Sequence, residues 1–461
     1  MWSLHSVLAL AVLTRVNALN NGVAKLPILG YNTWYAYQCN IDQNLVLNTA
    51  TLIKSLGLQD AGYEYINIDD CWAEKNRSAS GDLVPDKVRF PNITAMTSEI
   101  HALGLRAGIV SVLFLILDGL TYLALVWVNV RVIDGFGADK LASSDSGWFT
   151  CAGYPGSFMN ELRDITQFQE WGFDLLKYDN CAIPFDDIIR QGMMGKYQRM
   201  ADAIASLAET SGKKPFVFSL CEWGWSQVWL WGATMGHSWR TVNDIAPQWD
   251  TLAASINFNS FITQATDFYG HNDLDILQLG NGGLTFDEAK SHFTAWALLK
   301  SPLLIGNNLS TITPDILGIL TNKEILAINQ DPVVGKSISP FRWGINPDWT
   351  SNNSFPAQYW SGPSQNGTVF MLLNTLNEPA DMFFNLTESP WIRAGRQYSV
   401  RDLWSHTDNG TAVRNFTAHA VPAHGVIALL LEDAGDEPGG IFPQCAVWVE
   451  CMDQNGTRVG G

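Results

Sequence analysis

From Ile28 to about Asn308, short apolar runs alternate with stretches in which apolar residues recur every three or four positions. The first pattern predicts buried parallel strands and the second predicts helices packed on them. Strands are expected at Ile28–Trp34, Tyr63–Asp70, Arg106–Ser111, Phe173–Asn180, Phe216–Cys221, Ser238–Asp244, near Phe268–Asp273, and at Pro302–Asn307. Between them, "NLVLNTATLIKSLG", "TAMTSEIHALG", "FMNELRDITQFQEWG", "YQRMADAIASLAET" and "FDEAKSHFTAWALLK" carry helical spacing, and several close on Gly as a helix C-cap does. Eight strands each followed by a helix close most readily into a (β/α)8 TIM barrel, expected over residues 23–333. After "INQDPVVGKS", turns rich in Thr, Asn, Pro and Gly separate short stretches such as "TVFMLLN", "DMFFNL", "QYSVRDLW" and "GVIALLLE". Residues 336–461 therefore read as an antiparallel β-sandwich domain, and the chain as α/β overall.

One stretch breaks the rhythm. Val112 to Val130 holds twelve Leu, Ile, Phe or Val residues against Asp118, worth roughly −4 to −7 kcal/mol on the membrane-insertion scale against about +3. Composition alone admits a membrane span. A span there would put strands one to three on one side of the bilayer and four to eight on the other, and no closed barrel would form. A loop of this composition in water would expose more apolar surface than soluble proteins tolerate. Val110-Ser111 can be encoded by GTNAGY, which resembles a splice donor. Residues 110–143 are accordingly read as an atypical hydrophobic insert, a retained intron translated in frame, and no membrane partner is expected.

The N-terminus, "MWSLHSVLALAVLTRVNALNNG", has an apolar stretch from Val7 to Leu13 and small residues before a polar segment. It reads as a signal peptide over residues 1–18, with Arg15 after rather than before the apolar run. Nine Asn-x-Ser/Thr sequons, at Asn76, Asn92, Asn308, Asn352, Asn366, Asn385, Asn409, Asn415 and Asn455, fit a secreted, extracellular glycoprotein. A formal charge of −17 argues against nucleic acid as a partner. Seven cysteines in such a compartment suggest disulfides with one thiol left over.

In an eight-stranded barrel the working residues emerge at the carboxyl ends of the strands. Here those ends are polar: "YNTW", "INIDDCW", "LLKYDNC", "FSLCEWGW" and "HSWRTVNDI" place Trp34, Asp69, Asp70, Lys177, Asp179, Glu222, Arg240 and Asp244 around one mouth. Lys177 and Asp179 lie two apart on a strand and face the same side. The ammonium is expected to lower the carboxylate's pKa and keep a nucleophile ionised, though a structural ion pair has the same spacing. Asp244, four residues after Arg240, suits an acid/base partner, although a single Asp in this position is more often a helix N-cap or loop residue. Asp69-Asp70 reads as a hydrogen-bonding pair for sugar hydroxyls rather than a metal site, since no His or further carboxylate with ligand spacing adjoins it. Trp34 is either a core ring or a sugar platform.

The stretches "YNTWYAYQC", "YINIDDCW", "CAGYPGS", "LLKYDNC", "CEWG", "SWRTVNDI", "HNDLDIL" and "AINQDP" occur in this order. Together they resemble an α-galactosidase of glycoside hydrolase family 27, closest to the filamentous-fungal members. The resemblance runs from about Gly30 through the C-terminal domain and is interrupted once. It implies retaining hydrolysis of terminal α-linked galactose from galacto-oligosaccharides, galactomannans or galactolipids by double displacement, with no cofactor and no metal. By motif, Asp179 is the nucleophile and Asp244 the acid/base. Asp69 and Asp70 would bind the 6- and 4-hydroxyls and Lys177 a hydroxyl near positions 3 and 4. Glu222 and Arg240 would lie toward the 2- and 3-hydroxyls, and Trp34 along the apolar face.

Relatives that accept N-acetylgalactosamine have smaller residues where this chain has Glu222 and Trp225, so galactose is the expected substrate. An α-N-acetylgalactosaminidase is the alternative within the family, and an inactive galactose-binding protein or a mis-spliced inactive product the alternative outside it. The resemblance also pairs Cys39 with Cys71, Cys151 with Cys181 and Cys445 with Cys451. It leaves Cys221 free, because Gly236 stands where some animal relatives place its partner.

Overall fold

Residues 18–111, 150–181, 185–439, 452 and 455–458 are described by the computed structural model. The expected signal peptide up to residue 17, residues 112–143 of the insert, and Cys445 and Cys451 lie outside the described residues. Eight parallel strands form one sheet: β1 (Leu29–Asn32), β2 (Tyr65–Ile68), β3 (Arg106–Ser111), β4 (Leu175–Asp179), β5 (Val217–Cys221), β6 (Ser238–Arg240), β7 (His271–Asp273) and β8 (Leu303–Ile305). Neighbours in sequence are neighbours in space from β1 to β7, and β8 pairs with β1. The ring closes through a parallel bridge between Leu277, just beyond β7, and Ile305, where Leu277 N–H donates to the Leu304 carbonyl at 2.8 Å. Strands buried on both faces read as unbroken apolar runs, and β1, β2 and β5 are buried throughout.

The strands pack around polar as well as apolar side chains. Asn32, Asn67 and Gly108 stand in register across β1, β2 and β3. A Cβ at Gly108 would lie 1.9 Å from Asn67 Oδ1, so that amide fits inside the barrel because its neighbour has no side chain.

The five expected helices form, one with different bounds, and Trp34–Tyr37, Trp249–Asn259, Pro314–Leu320 and Lys323–Asn329 join them. The helix expected at residues 197–210 is the C-terminal part of a longer one, Phe185–Ser211, interrupted at Gly192 where φ is 65°. The helix Trp249–Asn259 was not expected: its buried face includes Ser255, Asn257 and Asn259, which conceal the apolar period.

The C-terminal part forms β9 (Ser339–Arg342), β10 (Tyr359–Ser364), β11 (Gly367–Leu373), β12 (Ala380–Asn385), β13 (Arg396–Asp402), β14 (Thr407–Val413), β15 (Asn415–Val421) and β16 (Val426–Asp436). Six of them make an antiparallel sheet in the order β14-β13-β16-β11-β10-β9, and β12 pairs with β15. Phe370, Leu372, Leu429 and Leu431 from the larger sheet share a core with Met382, Phe384 and Ala418 from the smaller one. This sandwich is locked to the barrel: His424 stacks on Trp249 at 4.3 Å, and its Nδ1 pairs with Glu288 at 2.7 Å.

Two expected disulfides are formed, Cys39–Cys71 and Cys151–Cys181, with Cα separations of 5.2 and 5.7 Å. Cys221 is free and buried. Of the sequon asparagines, Asn76, Asn92, Asn366, Asn409, Asn415 and Asn455 are exposed. Asn308, Asn352 and Asn385 are half-buried.

Candidate active site

A cavity of about 680 Å³ opens at the carboxyl ends of the barrel strands, bordered by Trp34, Asp69, Lys177, Asp179, Arg240 and Asp244. Strand β4 carries two of them. Lys177 and Asp179 project to one side because they are two residues apart, and their charged groups meet at 3.5 Å. Lys177 Nζ also donates to Asp69 Oδ2 at 3.1 Å, and that oxygen accepts from Asn32 Nδ2 at 2.7 Å. Burial would strip the charge from Lys177, but Asp179 and Asp69 together outweigh it and hold the pKa well above the ordinary lysine value.

Asp179 departs from the expectation. Burial pushes its pKa up to about 6, and Lys177 opposes that rise without cancelling it. Asp244 departs in the other direction. Burial would raise its pKa, but Arg240, whose Nη2 stands 3.0 Å from Asp244 Oδ1, and then Lys177 bring it below the usual carboxylate value. Its side chain is 58% exposed at the mouth of the cavity, whereas that of Asp179 is 6% exposed. Asp244 is therefore ionised and tightly paired with Arg240, whereas an acid/base partner must hold a proton.

Three of the expected sugar-binding residues do not border the cavity. The Asp70 carboxylate turns away and accepts from the backbone N–H groups of Cys71 at 2.6 Å and Ala152 at 2.7 Å, tying down the segment that carries the Cys151–Cys181 bridge. Burial raises its pKa to about 7. Glu222 is fully buried beside Lys196 and Tyr197, and its pKa is raised to about 8 by that burial. The chain turns at Trp223, where φ is 57°, and it is Trp223 that borders the cavity instead. Trp225 is 59% exposed, on the short helical turn Trp225–Leu230. The wall expected to exclude an acetamido group is thus built differently from the sequence reading.

Sequence reasoning also missed Tyr35, Gln38, Trp223, Asn243, Asp275 and Ile276, which border the cavity. Asp275 was within reach of that reading, since it stands in the quoted "HNDLDIL" just past β7. Among the described residues, no group of three or more His, Cys, Asp or Glu side chains is placed to hold a metal ion. A buried carboxylate backed by an ammonium, bordering the same cavity as a more exposed carboxylate, can perform nucleophilic attack paired with proton transfer.

Comparison with known proteins agrees with this arrangement. The model of the family described as "Alpha galactosidase A" matches residues 26–114 and 132–331, so its break falls within the expected insert. The one described as "Alpha galactosidase C-terminal beta sandwich domain" matches residues 354–431. A probable alpha-galactosidase B of Talaromyces emersonii is 37% identical, over 89% of this chain and 93% of that protein. The crystal structure of alpha-galactosidase I from Mortierella vinacea superposes with a TM-score of 0.74 at 31% identity, covering 91% of this chain and all of that one. The Saccharomyces cerevisiae α-galactosidase solved with raffinose superposes at 0.71 with 26% identity, covering 90% of this chain and 99% of that one.

Proposed function

The chain belongs to the α-galactosidase family, glycoside hydrolase family 27, and from that premise we propose that it releases terminal α-linked galactose by double displacement, with Asp179 as nucleophile and Asp244 as acid/base. The observation that carries this reading is the Asp69–Lys177–Asp179 chain of contacts at the base of the cavity, with Asp244 at its mouth. Asp179 attacks the anomeric carbon as the glycosidic bond breaks, while Asp244 gives its proton to the departing oxygen. The galactosyl ester of Asp179 is then cleaved by water, whose proton returns to Asp244, and two inversions leave the configuration retained.

The pKa directions add a condition. Arg240 favours the ionised form of Asp244, so a sugar that covers its exposed side chain must also favour its proton, through loss of water from the carboxylate. Asp179 is ionised above about pH 6. Asp69 and Lys177, already paired, present oxygen and N–H groups to sugar hydroxyls, Arg240 adds a donor, and Trp34 offers a ring face. Asp70, Glu222 and Trp225 act from behind or beside the cavity. The reaction needs no cofactor.

Galactosides of the raffinose type, galactomannans and galactolipids are the substrate class, in line with the raffinose complex of the yeast relative. Galactose is preferred over N-acetylgalactosamine, a reading supported by the names of the fungal relatives. Secretion is supported by the two disulfides and the exposed sequons. Among the described residues no helix is long and apolar enough to cross a membrane. Hydrolysis rates on the p-nitrophenyl α-glycosides of galactose and N-acetylgalactosamine test the assignment: at least a tenfold preference for galactose is expected, and equal rates would refute it.

A further inference from the structure

The guanidinium of Arg240 is shared. Its Nη2 pairs with Asp244 at 3.0 Å, and its Nη1 pairs with Asp275 Oδ1 at 2.9 Å, on a side chain that is 1% exposed. Asp275 is ringed by donors. Its Oδ1 also accepts from its neighbour's backbone, Ile276 N–H, at 2.7 Å, and its Oδ2 accepts from the Tyr35 hydroxyl and from Ile245 N–H at 2.9 Å. Ile245 directly follows Asp244, and its carbonyl accepts from Gln278 Nε2 at 3.2 Å. The backbone on one side of Asp244 and the cation on the other are therefore both fastened to Asp275.

We infer that Asp275 is a positioning residue for Asp244: it draws part of the Arg240 charge away from the Asp244 carboxylate and fixes the peptide that follows it. This rests on the assignment of Asp244 as acid/base. The charged and titratable groups that face Asp244 come from several elements: Arg240 on β6, Lys177 and Asp179 on β4, Cys221 at the end of β5, Tyr35 after β1, and Asp275 after β7. Of these, Asp275 is the carboxylate that meets the same guanidinium. Replacing it with a neutral amide leaves the whole cation to Asp244 and removes a like charge. Both changes favour the ionised form of Asp244, so a general acid in that position loses its proton at lower pH.

The test is the pH dependence of kcat, which reads the sugar-bound enzyme, on an α-galactoside with a poor leaving group, in the chain with residues 110–143 replaced by Tyr-Ser, for the otherwise unchanged enzyme and for Asp275→Asn, Tyr35→Phe and Asp244→Ala. The alkaline limb is expected to move toward acid by about one pH unit in Asp275→Asn. It should move the same way by less in Tyr35→Phe, which removes one donor and keeps the carboxylate should the amide variant fail to fold. Asp244→Ala is expected to lose the limb and to recover turnover of an activated aryl galactoside when azide is added. If Asp275→Asn, or Tyr35→Phe in its place, keeps the wild-type limb while Asp244→Ala behaves as expected, the positioning role is overturned and the acid/base assignment stands. If Asp244→Ala keeps the wild-type limb, the acid/base assignment itself fails and takes the inference with it.

Discussion

Lys177 touches Asp69 and Asp179 at 3.1 and 3.5 Å, and the consequences of that contact are measurable at the scale of one side chain. Its charge opposes the rise that burial imposes on Asp179, whose pKa stands at about 6. In Lys177→Met nothing of that size opposes burial, so Asp179 takes up its proton at higher pH. Because the ionised form attacks, the acid limb of kcat, which reads the sugar-bound enzyme, is expected to move to higher pH and kcat to fall at least tenfold, about 1.4 kcal/mol of transition-state stabilisation. An acid limb that does not move would contradict this.

Glu222 makes a different prediction. Its pKa is raised by burial to about 8 in the folded chain, so between the ordinary glutamate value and about 8 the folded state holds a proton that the unfolded state has lost. Stability supplied by this group is therefore present at acid pH and lost as pH rises through that window. Glu222→Gln is expected to flatten the fall in Tm between about pH 4.5 and 8, measured by thermal unfolding across that range; an identical slope in the variant and wild type would refute it. The pairing of Lys177 with Asp179 was legible because two-residue spacing on a strand fixes direction. The placement of Asp70 and Glu222 was not, because each follows its strand, where the direction of a side chain depends on which backbone N–H groups and neighbours it meets.

At the scale of elements, the β strands were legible and their ends were not. All eight barrel strands arise within or beside the expected stretches, most of them apolar runs, although β6 and β7 bury Ser238, Arg240, His271, Asn272 and Asp273. β7 is three residues long and Asp275 lies beyond it among Leu274, Ile276 and Leu277, which is why it was not assigned to the mouth. The helix Trp249–Asn259 was hidden by its buried polar residues. The helix Phe286–Leu298 was plain, and its start is marked by a capping box: Thr285 Oγ1 accepts from Glu288 N–H at 3.2 Å, and Glu288 Oε2 accepts from Thr285 N–H at 2.8 Å. Glu288 also meets His424 of the sandwich at 2.7 Å, so the cap serves the junction between barrel and sandwich. Thr285→Ala is expected to cost about 1 kcal/mol in urea unfolding, with turnover on p-nitrophenyl α-galactoside unchanged. No loss of stability would show that the cap contributes nothing there.

For the whole molecule, the decisive feature is continuity of the barrel across the expected insert. β3 pairs with β2 on one side and β4 on the other, and the family match stops at residue 114 and resumes at 132. The main chain at the end of β3 already serves the site's surroundings, since Trp72 Nε1 donates to the Val110 carbonyl at 2.9 Å. We expect a chain with residues 110–143 replaced by Tyr-Ser to be secreted, soluble and active, and the chain as written to fold poorly or be inactive. Peptides from that segment recovered from active secreted enzyme would show the retained-intron reading to be wrong.

The central claim, retaining hydrolysis through Asp179, is tested most directly by trapping the covalent intermediate on the replaced-segment enzyme with a fluorinated α-galactosyl fluoride and sequencing the labelled peptide by mass spectrometry. The account predicts one galactosyl adduct on Asp179 of "LLKYDNC" and none in Asp179→Asn. An adduct on another residue, or turnover in Asp179→Asn at the wild-type rate, would contradict it.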